Sequence, residues 1–358
     1  MKTKKRLQLV QASRAIVPLL VILFHMSFVA NYYFHYDLLG LTNLTRTGGA
    51  DYFFILTGFM MYYIYSKDFG KKEKVKTFLI KRFSRLIPYY WLLTTVVIAF
   101  FYFVPIGYSY SNDLQTMLNS YFLLPQSGMP IIYSAWSLQN TLMFYIIFSL
   151  FIYSTKSIFK ILIGIWISAI LFFTLTDITF TNFFVSMIFN KINLDFALGT
   201  WCAYYALHHT IKNGTLYLTL GITGYIYTWV SGVEHLWRFD DTLMYSIAGT
   251  FLMFGLVSID LKKEIKLPRV LQYLGNASFS IYLVHPPFLG LVAAILVNSG
   301  INNIIGSVGS ITVCIVTVVC MGCLSHSYIE KPLSAGLQTF LFQQKQKRVV
   351  LRQSSAHL

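Results

Sequence analysis

The chain has 358 residues, of which 56% are hydrophobic and 11% charged, with mean hydropathy +0.60 and 28 Lys+Arg against 13 Asp+Glu. Composition this apolar excludes a water-soluble globular protein of the same length, and the basic residues at the borders of apolar runs do not make a nucleic-acid surface. The fold class is therefore all-α, a polytopic integral membrane protein. Cys202, Cys314, Cys320 and Cys323 all fall inside apolar runs, which argues against a disulfide framework. Cys320-Met-Gly-Cys323 has redox or metal spacing, but no second Cys or His pair stands at a matching interval, so it reads as small-residue packing and no metal site is expected.

Apolar runs of about 17 to 25 residues predict ten membrane helices. They lie near 14–34, 47–66, 84–104, 136–155, 158–176, 193–209, 215–232, 242–259, 275–298 and 302–324. With both termini cytoplasmic, every Lys and Arg except Arg46, Lys191 and Arg238 falls on or beside the cytoplasmic face. The net charge of +15 thus reads mainly as topology, with anionic lipid contact second. Residues 1–342 are expected to form one membrane domain and 343–358 a basic cytoplasmic tail. No internal repeat of the transporter kind is evident.

The first run carries Arg14 and His25, costly polar groups for a membrane segment. Eleven residues at about 100° each bring the chain round to within roughly 20° of its starting direction, so both side chains share one helical face, about 16 Å apart along the axis. A buried neutral imidazole suits a general base, and a guanidinium suits phosphate or carboxylate. The alternative is a histidine bonded to a neighbouring helix and an arginine obeying the positive-inside rule. The length and the two polar groups of this run mark it as a retained helix rather than a cleaved signal.

Next, Gly48-Gly-Ala-Asp-Tyr-Phe-Phe places Asp51 at the outer start of the second helix. There a carboxylate could orient a histidine, accept a sugar hydroxyl or cap the helix. Lys67–Thr77 reads as a basic connection. After it, Arg82 and Arg85 stand three apart, close enough on one turn for two guanidinium forks to hold a diphosphate. Pro105–Pro130 forms the longest outer loop. Ala135-Trp-Ser-Leu-Gln-Asn-Thr141 then gathers hydrogen-bonding groups at an outer helix end, with Trp136, Ser137 and Asn140 as candidates beside the similarly placed Asp195. Either group could also be interhelical glue.

Taken in order, these segments resemble the acyltransferase family 3 membrane proteins, which include bacterial O-acyltransferases of surface polysaccharides. The basic residue and histidine separated by ten residues are matched by Arg14 and His25, and Gly-x-Asp-x-Phe-Phe with Thr-Gly-Phe by Gly49–Phe54 and Thr57–Phe59. Arg-x-x-Arg leading into Pro-x-Tyr-Trp is matched by Arg82, Arg85 and Pro88–Trp91. Trp136-Ser-Leu138, Leu194-Asp-Phe-Ala-Leu-Gly199, Leu274–Pro286 and Tyr328-Ile-Glu-Lys-Pro332 complete the set. Many members carry a glutamate where this chain has Thr141, which the resemblance assigns to the outer half of the site.

The resemblance implies acyl transfer, most often acetyl, from cytoplasmic acyl-CoA to a hydroxyl of a surface polysaccharide or related glycan, at a bacterial inner membrane. Acyl-CoA is then a donor substrate rather than a permanently bound cofactor. Arg14, Arg82 and Arg85 would bind its phosphates, and His25, with Asp51 nearby, would be the base. Partners would be a glycan or lipid-linked sugar, membrane lipids and polysaccharide-assembly machinery. Rival readings are a proton-coupled transporter using His25 and Asp51, or a non-catalytic export partner.

Overall fold

The computed structural model describes residues 5–104, 106–108, 113–236 and 239–341. The tail at 343–358 and Arg238 lie outside them. Within them the chain is helical, without strands. The helices are α1 (Gln8–Phe34), α2 (Gly49–Tyr65), α3 (Lys72–Phe103), α4 (Leu114–Tyr121), α5 (Ala135–Tyr153), α6 (Lys156–Leu175), α7 (Phe183–Phe189), α8 (Leu194–His208), α9 (Gly214–Val233), α10 (Asp241–Lys262), α11 (Arg269–Asn298) and α12 (Ile301–Ser325). A π-helical turn, His326–Glu330, leads from α12 into a helical continuation ending at Leu341.

A helix stands at each of the ten expected positions. Among the described residues seven helices are long and apolar enough to cross a membrane, α1, α3, α5, α6, α10, α11, and α12 with its continuation, and α2, α8 and α9 are not among them. At 17 and 15 residues, α2 and α8 are roughly 25 and 22 Å long, shorter than a bilayer's hydrocarbon core. The protein is a multi-pass membrane protein. The basic connection expected at Lys67–Thr77 is helical from Lys72 onward, because Lys and Glu are good helix formers and a hydropathy reading ignores them. The expected outer loop likewise contains α4, whose first turn is capped by Asp113 accepting from the Thr116 amide at 2.9 Å.

Four pairings build the bundle: α1 lies along α11, α11 along α12, α2 along α8, and α9 along α10. The α2–α8 crossing depends on two glycines. A Cβ on Gly58 would stand 2.1 Å from the Phe196 carbonyl oxygen, and one on Gly199 only 1.9 Å from that of Ile55. Backbone thus meets backbone from both sides, which gives Thr57-Gly-Phe59 and the Gly199 element a packing role. Just beside the crossing, Phe144 stacks on Phe196 with centroids 4.3 Å apart.

α1 starts without a local side-chain cap. Instead Asp260 of α10 accepts from the Leu9 amide at 2.9 Å and the Val10 amide at 3.1 Å, satisfying donors that a helix start leaves open. This contact anchors the helix that carries both Arg14 and His25.

Candidate active site

A cavity of about 240 Å³ opens between α1, α2, α3, α5 and α11. Arg14, Arg82 and Arg85 reach it from α1 and α3, and its wall is completed by residues that include Thr57, Ser137, Thr141 and Tyr282. No Asp or Glu lines it among the described residues. The volume is below that of an ordinary small-molecule site, and suits a slender chain better than a ring system.

The three guanidinium groups are held differently. Arg14 is bonded only weakly, donating from Nη1 to Gln11 Oε1 at 3.4 Å, and Gln11 in turn donates to Asn276 Oδ1 at 2.9 Å. Arg82 lies among the Tyr65, Tyr145 and Phe78 rings, 5.1, 5.8 and 6.0 Å from their centroids. Among the described residues neither cation pairs with a carboxylate, and Arg82 Nε is buried without a partner. Arg85 Nε sits 3.9 Å from Glu330 Oε1. The other oxygen of Glu330 accepts from Ser280 Oγ at 2.7 Å and lies 2.7 Å from His326 Nδ1. The Tyr328–Pro332 motif therefore supplies the carboxylate that steadies Arg85. The π turn places that carboxylate and His326 on the same side.

Beyond the cavity, aromatic rings follow one another in contact. Tyr282, from the cavity wall, has its centroid 5.7 Å from that of His285; His285 is 5.0 Å from His25, and His25 is 5.4 Å from Tyr133. His285 is completely buried, with Nδ1 3.3 Å from the Ile281 carbonyl oxygen. Pro286 and Pro287 lack the N–H groups that would bond to the Tyr282 and Leu283 carbonyls. Ser134 Oγ donates to the freed Tyr282 carbonyl at 3.1 Å, while Ser137 Oγ lies 3.0 Å from the Tyr282 hydroxyl. The sequence reading gave no role to Tyr133, nor to Tyr282, His285 and Glu330, which it met only inside the Leu274–Pro286 and Tyr328–Pro332 elements. For His285 the signal was available, since a histidine inside an apolar helix is as costly there as at His25.

The remaining candidates divide. Ser137 and Thr141 line the same cavity as the three arginines. The Thr141 hydroxyl is turned to the Ser137 carbonyl at 2.9 Å. Trp136 packs edge-on against Phe54, and Asn140 donates to the Trp136 carbonyl at 3.0 Å, leaving its own Oδ1 buried and unpartnered. Asp51, 1% exposed, accepts from Arg46 Nη2 at 2.6 Å, and no carboxylate bonds to His25 among the described residues. Asp195 is fully buried, close enough to Asp51 for mutual repulsion, and Tyr225 stands near both. Neither oxygen of Asp195 makes a hydrogen bond of ordinary geometry among the described residues. Asp51 and Asp195 thus form a second buried polar group around Arg46.

Three cations converging on a narrow cavity, with two imidazoles beyond it, suit a membrane-embedded enzyme that grips an anionic substrate at one end and moves protons at the other. Matched over residues 10–326, the chain belongs to the acyltransferase family 3, described as an acyltransferase domain. It is also similar to the exopolysaccharide production protein ExoZ of Rhizobium meliloti (strain 1021), with 22% identity over 298 residues, covering 80% of this chain and 88% of that protein. No solved structure matches. The protein is a multi-pass membrane acyltransferase.

Proposed function

We propose that the protein is a bacterial inner-membrane O-acyltransferase that moves an acyl group, acetyl above all, from cytoplasmic acyl-CoA to a hydroxyl of a surface polysaccharide such as exopolysaccharide or O-antigen. The observation that carries this reading is the convergence of Arg14, Arg82 and Arg85 on one cavity, two of them without a carboxylate partner among the described residues. Phosphates of CoA supply the missing anions, since guanidinium binds phosphate through paired hydrogen bonds. With the basic residues inward, the arginine end faces the cytoplasm, and the pantetheine arm fits the narrow cavity. The exopolysaccharide role in the name of ExoZ supports a glycan acceptor.

In this reading His25 takes the proton of the acceptor hydroxyl as its oxygen attacks the thioester carbonyl. Ser137 and Tyr282 line the path between donor and base, and Asp51, Asp195, Trp136 and Asn140 shape the acceptor side. The acceptor is free glycan or a lipid-linked sugar delivered by polysaccharide-assembly machinery. The test replaces His25 by Ala, verifies membrane insertion and follows labelled acetyl into the cell's polysaccharide. Labelling should fall by about 100-fold or more; full labelling would remove His25 from catalysis.

A further inference from the structure

His285 has a fixed place and an unused atom. Its Nδ1 faces the Ile281 carbonyl oxygen at 3.3 Å, and a carbonyl only accepts. That contact assigns the ring's proton to Nδ1 and leaves Nε2 with a lone pair. Nε2 is buried and has no hydrogen-bond partner among the described residues, a costly state for a polar atom. Two rings touch it. Tyr282 connects it to the arginine cavity, and His25 touches it at 5.0 Å between centroids with planes 80° apart. His285 therefore touches both a residue of the cavity wall and the proposed base.

We propose that His285 is a catalytic proton carrier between His25 and the thiol that leaves the donor, an inference that rests on the acyl transfer proposed above. As the acceptor oxygen bonds to the acyl carbon, the carbon–sulfur bond breaks and its electron pair stays on sulfur. The hydroxyl proton passes to His25, from His25 to Nε2 of His285, and from Nε2 to the thiolate on the cavity side. Both imidazoles end neutral, and the products are the acyl ester and free thiol. No oxidant or further reactant is required.

The experiment uses the full chain in membrane vesicles. Radiolabelled acetyl-CoA is the donor and the cell's own glycan fraction the acceptor. His285→Asn retains a donor for the Ile281 carbonyl but removes the Nε2 lone pair, whereas His285→Gln offers an amide near the Nε2 position. Both should lower kcat about 100-fold or more while leaving KM for acetyl-CoA within threefold. They should also reduce the solvent deuterium isotope effect on kcat, because fewer protons move together. A kcat within threefold of the unaltered protein in either variant overturns the proposal. So does a fall in kcat with an unchanged isotope effect, or loss in both variants of thermal protection by CoA, each marking His285 as a packing residue. If the unaltered protein transfers no label, the underlying acyl transfer fails; if it does and the variants keep pace, only the role of His285 fails.

Discussion

Replacing Gly199 by Ala tests whether the α2–α8 crossing is as close as it stands. The new methyl would lie 1.9 Å from the Ile55 carbonyl oxygen and 2.7 Å from its carbon. Restoring an ordinary contact requires the helices to part by about 1.5 Å, and no rotamer change can help because the obstacle is backbone. Overpacking relieved by side-chain movement costs roughly 1–3 kcal/mol; with backbone on both sides the expected cost is about 3 kcal/mol, at the top of that range. In purified protein followed by tryptophan fluorescence, this corresponds to an unfolding temperature lower by roughly 5–10 °C. Activity should fall as well, since α2 carries Thr57 and Met60 into the cavity wall. Gly164 on α6 provides the control, because nothing lies within 4 Å of its built Cβ. Gly164→Ala should hold or raise the unfolding temperature through helix propensity, worth up to about 1 kcal/mol. A Gly199→Ala protein that melts with the unaltered chain, or a Gly164→Ala protein that falls equally far, would refute the reasoning.

Removing both Arg82 and Arg85 as alanines should abolish thermal protection by CoA while the protein still inserts; undiminished protection would eliminate the donor clamp. Glu330→Gln keeps an acceptor for Ser280 but withdraws the charge facing Arg85, whose side chain is 36% exposed, so screening limits the effect. The donor KM should rise about 2- to 5-fold with kcat nearly unchanged, and steady-state kinetics with an unmoved KM would contradict the anchoring role. Outside the membrane helices, Asp240 is pushed up by burial, but Lys191 and the Leu243 and Thr242 amides outweigh this and hold its carboxyl below the ordinary 3.8. A lowered native value adds stability that is complete above the unfolded value and lost as pH falls through the native one. Stability at pH 6–8 should therefore be flat with respect to this pair and decline below about pH 4, and Lys191→Ala should weaken that acid-side decline in melts across pH.

Helix positions were legible because apolar runs report directly on which segments can exchange water for lipid or protein. Arg14, Arg82 and Arg85 were legible as a group because charge borders and spacing place them at one depth, and the structure brings them to one cavity. Glu330 was not, since its partner lies far away in sequence and only the fold shows that α3 meets the π turn. Asp51 shows a related difficulty. At the head of α2 it could cap, orient or bind, and its choice of Arg46 depends on a loop conformation that carries no periodic signal. That Thr141 shares a cavity with the three arginines was not legible either, because linear distance from Trp136 does not reveal which wall a helix turn faces.

The proline pair in α11 has a mechanical consequence. A turn missing two backbone hydrogen bonds bends more easily than its neighbours, so α11 yields first at the segment bearing Tyr282 and His285. The brace for that turn belongs to another helix, through Ser134 one residue before α5. Tyr133, which touches His25, immediately precedes it. One short stretch of chain thus grips both histidine-bearing helices, and their mutual alignment is set like that of two beams joined by a common tie. Slack in that tie would show as faster amide exchange in α11 around residue 285, without any change to the rings themselves.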